Sequence, residues 1–220
     1  MINTLLIKFL TRLHKNNNKQ WFDLHRKEYE TIRTEYVDFV DDLIKEISIF
    51  DASIATLKGK QCIFRINRDV RFSKNKAPYK TNFGAYFNQR GKNGGGAGYY
   101  LHIEPGKSFL AAGVWMPEPE LLNNIRQEID YNWKEWKNLI NKSSFKKTFP
   151  EGMDTSNMLT RPPKGYAENN PAIDDLKLKS FVVRKSLSNQ ELSEKNFNKN
   201  ISKAFKEALP LVAFINRTLD

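Results

Sequence analysis

The stretch between residues 61 and 115 constrains the fold more than any other. Residues 61–72 alternate: Phe64, Ile66, Val70 and Phe72 interleave with Arg65, Asn67, Asp69 and Arg71, the period of a half-buried strand. Three further strands are predicted at Phe83–Asn88, Gly98–Glu104 and Ser108–Trp115. The connections between them are too short for helical crossovers, so the strands must pair antiparallel. The glycine-rich run Gly91–Gly98 reads as a hairpin loop.

Helical periodicity brackets this sheet. Leu5, Leu6, Phe9, Leu10 and Leu13 recur at three- and four-residue spacing and stop at Asn16-Asn17-Asn18. A longer pattern follows: Tyr29, Ile32, Tyr36, Phe39, Val40, Leu43, Ile44 and Ile47, with an acidic opposite face, and Trp21-Phe22 tucked between the two. Residues 118–140 read as one helix, with Pro119 in its first turn and Leu122, Ile125, Ile129, Trp133, Trp136 and Ile140 on its buried stripe. Residues 143–178 show little periodicity and contain Pro150, Pro162, Pro163 and Pro171; a connection this long is a functional loop or hides short strands. Lys179–Leu187 is a further strand. Ser188 and Glu191 make a capping box that starts a last helix over 189–219, kinked at Pro210.

The economical architecture is a single α+β domain over residues 1–220. Its parts are a helical segment 1–50, antiparallel strands within 61–115, a helix 118–140, a loop and strand over 143–187, and a C-terminal helix 189–219.

With 40% hydrophobic and 28% charged residues, the chain is neither a disordered tail nor a membrane bundle. No apolar run approaches the roughly 18–20 residues that span a bilayer, and the N-terminal apolar stretch, broken by Lys8, lacks the features of a secretory signal. One cysteine, Cys62, excludes an intramolecular disulfide and a multi-cysteine metal site. These features predict a cytoplasmic protein with no membrane partner, no metal and no cofactor.

The net charge of +11 is concentrated. Between Lys58 and Lys80 stand eight basic residues against one acid, Asp69, whereas the first 57 residues carry eight basic residues against nine acids. Such a local surplus predicts an anion-attracting patch. A strand over 61–72 would set Arg65, Asn67, Asp69 and Arg71 on one face, and guanidinium forks match the paired oxygens of phosphate or carboxylate. Lys74, Lys76 and Lys80 follow in a loop stiffened by Pro78. The competing interpretation is an arginine ladder paired with Glu104 and the acidic N-terminal helix.

The strand Gly98–Glu104 places Tyr100, His102 and Glu104 on one face. His102 is the candidate general acid or base, because imidazole titrates near 6.5; a hydrogen-bonded structural histidine is the alternative. His14 and His25 lie in helical segments without metal-ligand companions. In Arg161-Pro162-Pro163-Lys164-Gly165-Tyr166, consecutive prolines stiffen a strap whose two cations could close over an anion, or which is a rigid surface loop. Gly106-Lys107-Ser108 is no P-loop: the first glycine would fall at Leu101, and a strand rather than a helix follows.

The blocks RINRDVRFSKNKAPYKTNFGAYF (65–87), YYLHIEPGKSFLAAGVWMPEPELL (99–122), RPPKGY (161–166) and LKLKSFVV (176–183) occur in this order, after the early Trp21-Phe22. Together they resemble the largely bacterial family known as domain of unknown function 2461, across nearly the whole chain. The resemblance implies one intracellular domain and carries no catalytic residue with it.

The residues thus predict a basic pocket for a small anionic ligand, with phosphorylated compounds among the candidates. It would comprise Arg65, Asn67, Arg71, Lys74, Lys76, Lys80, Tyr100, Arg161 and Lys164, with His102 as proton carrier should the protein be an enzyme. The alternatives are sequence-indifferent nucleic-acid binding, with Phe72, Tyr79 and Phe83 stacking on bases, or an interaction module for an acidic protein partner.

Overall fold

The structure is a computed structural model that describes residue 2, residues 4–92 and residues 94–219. The ends of the assigned span, Met1 and Asp220, lie outside the described residues, as do Asn3 in the helical segment and Asn93 in the glycine-rich loop.

The fold is α+β, with a four-stranded antiparallel sheet in the order β1-β2-β3-β4. The strands are β1 (Phe83–Phe87), β2 (Gly98–Ile103), β3 (Ser108–Val114) and β4 (Phe181–Leu187). Each falls within two residues of its expected bounds, because turn residues punctuate the short apolar runs. Among the described residues no helix is long and apolar enough to cross a membrane.

The chain divides into two compact units. The first holds the residues up to Phe87, Tyr100–Leu110 and Ser186–Ser202. It opens with helices α1 (Thr4–Lys15), α2 (Lys19–Leu24) and α3 (Arg26–Ser48). Asn18 caps α2 by accepting from the Trp21 amide at 2.9 Å, which turns the polar stop signal into a helix start. The expected apolar stripes are buried, from Leu6, Phe9, Leu10 and Leu13 to Ile32 through Ile47, although Leu5 is exposed. An aromatic cluster joins these helices to the strands. Phe22 stacks on Tyr79 with centroids 4.0 Å apart, and Tyr36 meets Phe83 edge-on at 5.0 Å.

Residues 61–72 are not a strand. A helical turn, α4 (Gly59–Cys62), occupies the start, with the Gly59 amide donating to Asp41 Oδ1 of α3 at 2.6 Å. A Cβ on Gly59 would stand 2.6 Å from the Val37 carbonyl, so this close approach requires glycine. The chain then bridges its neighbours at two isolated positions, Ile63 with Ala85 and Asn67 with Tyr79. Between residues 67 and 79 it loops out. Ile66 is buried as the alternation requires, but Phe72 is 96% exposed. Alternation supplied a face, yet among the described residues the segment meets β1 at a single bridge and forms no continuous ladder.

The second unit holds Asn88–Tyr99, Ala111–Lys185 and the residues from Lys203 onward. The helix expected over 118–140 is two, α5 (Pro119–Tyr131) and α6 (Trp133–Asn141), parted at Asn132. The 143–178 connection contains helices α7 (Ser143–Thr148) and α8 (Ile173–Leu176) and two single antiparallel bridges, Met153 with Val183 and Met158 with Leu178. Arg126 of α5 is buried and donates to the carbonyls of Leu176 and Leu178 at 2.8 and 3.1 Å, satisfying the end of α8. Trp136 packs on Phe181 and Phe214 at the centre of this unit.

The last helical region is also two pieces. The Ser188 capping box forms as expected but opens only the short α9 (Asn189–Leu192); α10 (Phe197–Asn216) follows, with Pro210 inside it.

Candidate functional site

The period of two along β2 sorts its side chains. Tyr99, Leu101 and Ile103 are fully buried, while Tyr100, His102 and the following Glu104 line the other face. Successive side chains on one face of a strand lie roughly 6–7 Å apart, within reach of a hydrogen-bonded chain. Tyr100 Oη lies 3.0 Å from His102 Nδ1, and His102 Nε2 lies 3.2 Å from Glu104 Oε2.

Neighbouring segments complete the chain. Ahead of β1, Thr81 donates to Glu104 Oε1 at 2.8 Å, and the Asn82 amide approaches His102 Nδ1 at 3.4 Å. From β3, Phe109 stacks on the imidazole at 4.6 Å and an interplanar angle of 14°. Ser108 closes the turn by donating to the Glu104 carbonyl and accepting from its amide. Gly84 makes room for the phenol: a Cβ there would stand 2.8 Å from Tyr100 Oη.

These contacts settle the tautomer of the neutral ring. A carboxylate only accepts, so Nε2 carries the proton toward Glu104. Nδ1 then accepts from the Tyr100 hydroxyl. Once His102 gains a second proton, Nδ1 becomes a donor to the phenol oxygen, and the Tyr100 proton must point elsewhere. Glu104 accepts from Nε2 in either protonation state of the ring. Burial, and secondarily the Glu104 charge, push the Tyr100 phenol up to about 12, so it stays protonated and serves as a donor.

Lys80 and Phe64 border this face. Phe64 meets Tyr100 edge-on at 6.1 Å, and Lys80 Nζ sits 5.4 Å from the Phe64 centroid. Arg65 is exposed beside Phe64, and its charge contributes to holding the Asp69 carboxyl low.

The other basic residues do not join a common face, because no strand over 61–72 aligns them. Arg71 forks onto Asp69, with Nε and one terminal nitrogen at 3.0 and 2.7 Å from its two oxygens. That bond is the main cause that holds the exposed Asp69 carboxyl below its usual range. Lys76 Nζ donates to the Val70 and Arg71 carbonyls, at 3.1 and 3.4 Å, and Arg68 to the Ala77 carbonyl and Ser73 hydroxyl. Asn67 and Lys74 are exposed. Tyr79 and Phe83 are buried in the aromatic cluster, so they are not stacking platforms for bases. Arg161 and Lys164 are exposed in the second unit, where Pro163 is buried and Gly165 turns the strap with φ of 93°.

The residues that sequence reasoning missed are Thr81, Asn82, Gly84, Phe64 and Phe109. Gly84 within a strand was the legible signal, since glycine there marks a close approach. Among the described residues no group of three His, Cys, Asp or Glu side chains is placed to hold a metal ion.

No curated protein and no solved structure matches the chain. A family model matches residues 5–214, nearly the full length, and on that match the chain belongs to the conserved hypothetical protein family DUF2461.

Proposed function

We propose that the protein binds a small anionic, phosphorylated ligand at the polar face of β2. Lys80 and Arg65 attract the anion, and Tyr100, His102 and Glu104 handle a proton. The observation that carries this reading is the engagement of both imidazole nitrogens, Nε2 by a carboxylate and Nδ1 by a phenol. That arrangement orients a proton carrier on one side and leaves a hydroxyl at its delivering end. A protonated His102 donates through Nδ1 to the Tyr100 oxygen, and the phenol passes its own proton to the ligand. The cations Arg71 and Lys76 serve the loop itself and have no role in this site.

A thermal-shift panel of inorganic phosphate, sugar phosphates and nucleotides tests the proposal. A ligand at a hundred times its Kd stabilises by about 2.7 kcal/mol, which raises the Tm of a chain this size by roughly 5–10 °C. Lys80→Ala should abolish the shift. His102→Gln should retain binding and stop turnover of any compound that reacts. A panel with no stabilising phosphate compound, or a shift that survives Lys80→Ala, refutes it.

A further inference from the structure

The loop between the Asn67–Tyr79 bridge and its tip is built as a rigid finger. Backbone bonds close its neck, from the Arg68 amide to the Pro78 carbonyl at 2.9 Å and from the Lys80 amide to the Ile66 carbonyl at 2.7 Å. Asn17 locks the same neck from the helical side. Its side chain pairs with both the amide and the carbonyl of Tyr79, at 3.0 and 2.9 Å, as a neighbouring strand would. Arg68 and Lys76 brace the interior through carbonyls. A finger that spends two cations on internal bracing holds its remaining groups in fixed positions.

Those remaining groups are unusual together. Phe72 is 96% exposed, an arrangement that hydrophobicity opposes and packing does not explain. The Arg71 guanidinium lies 5.8 Å from the Phe72 centroid and is held there by its fork onto Asp69, which engages Nε and one terminal nitrogen and does not use the other. Lys74 is exposed two residues beyond Phe72.

We infer that this finger is a single-stranded nucleic-acid contact, separate from the site on β2: one unpaired base stacks on Phe72 while Arg71 and Lys74 meet the flanking phosphates. A bare aromatic ring with cations on either side matches the alternation of base and phosphate along a single strand. Duplex DNA offers no free base face to the ring. A lipid surface would reward several apolar groups at the tip, but the neighbours of Phe72 are Arg71, Ser73 and Lys74. A stacked ring and phosphate-directed cations read no base edge, so recognition is indifferent to sequence.

Fluorescence anisotropy with labelled oligo-dT and oligo-U of 12 nucleotides, measured from 50 to 200 mM salt on the full chain, tests the inference. Phe72→Ala should weaken binding roughly 5- to 150-fold, the range of one lost base stack, without changing the salt slope. Phe72→Trp should restore it. Lys74→Ala should lower the slope by about 0.7 log units per log unit of salt, one phosphate on a single strand. Because Phe72 is exposed, its replacement leaves the fold standing, which a melting curve checks. Absence of binding at 50 mM salt, equal affinity for blunt duplex, or equal affinity of the Phe72→Ala protein overturns the inference. Phe72-dependent binding to phosphatidylserine vesicles in place of the oligonucleotides also overturns it and assigns the finger to membranes.

Discussion

Replacing Gly84 by alanine separates the function of the β2 face from the stability of the fold. The added Cβ would stand 2.8 Å from Tyr100 Oη, 3.2 Å from its Cε2 and 3.3 Å from Phe64 Cδ2, whereas ordinary contacts begin at 3.4 Å. The phenol must therefore retreat by about 0.6 Å. Its bond to His102 Nδ1, now 3.0 Å, then stretches to roughly 3.5 Å, the limit at which a hydrogen bond fails. A neutral hydrogen bond contributes about 0.5–1.5 kcal/mol, and alanine gains about 0.5–1 kcal/mol over glycine within a strand. The two nearly cancel, so chemical denaturation should report a change within about 1 kcal/mol. Displacement from its packed position, by contrast, weakens the burial that holds the phenol's proton, so it should titrate lower. Carbon-13 labelling at tyrosine Cζ reads that titration directly, with Tyr100→Phe assigning the signal. An unchanged Tyr100 titration, or a stability loss beyond about 3 kcal/mol, would show that the strand backbone absorbs the clash and would refute the reasoning.

Stability should fall as pH rises from 10 to 12. The folded Tyr100 keeps its proton to about 12 while the unfolded one releases it near 10, so the unfolded state gains in that window. A two-unit difference corresponds to about 2.7 kcal/mol, and the buried Tyr36, raised well above its ordinary value by burial, adds in the same direction. Urea midpoints across this range should decline less steeply for Tyr100→Phe; parallel curves would contradict the assignment. Arg126→Met keeps the volume of a buried side chain but strips the donors from the Leu176 and Leu178 carbonyls, at a cost of about 2–4 kcal/mol in denaturant unfolding. A cost below about 0.5 kcal/mol would mean that water replaces the guanidinium.

The main helices and β2 were legible in the sequence because burial imposes a period on the residues themselves, and the other strands because turn residues bound short apolar runs. Tyr100, His102 and Glu104 share a face by the strand period alone, and that arithmetic needs no partner. What completes them came from elsewhere in the chain: Thr81 and Asn82 reach His102 and Glu104 only through the register of β1 on β2, and Phe109 only through β3. The basic segment failed for the same reason in reverse. Arg65, Asn67, Asp69 and Arg71 alternate as a strand would, but the alternation holds only where a neighbouring strand supplies backbone partners, and here two isolated bridges replace a ladder. Freed from a ladder, Asp69 captured Arg71, and Phe72 turned to solvent. Periodicity is a local property fixed by side-chain hydrophobicity, whereas pairing depends on which backbone lies alongside, and only the tertiary structure decides that.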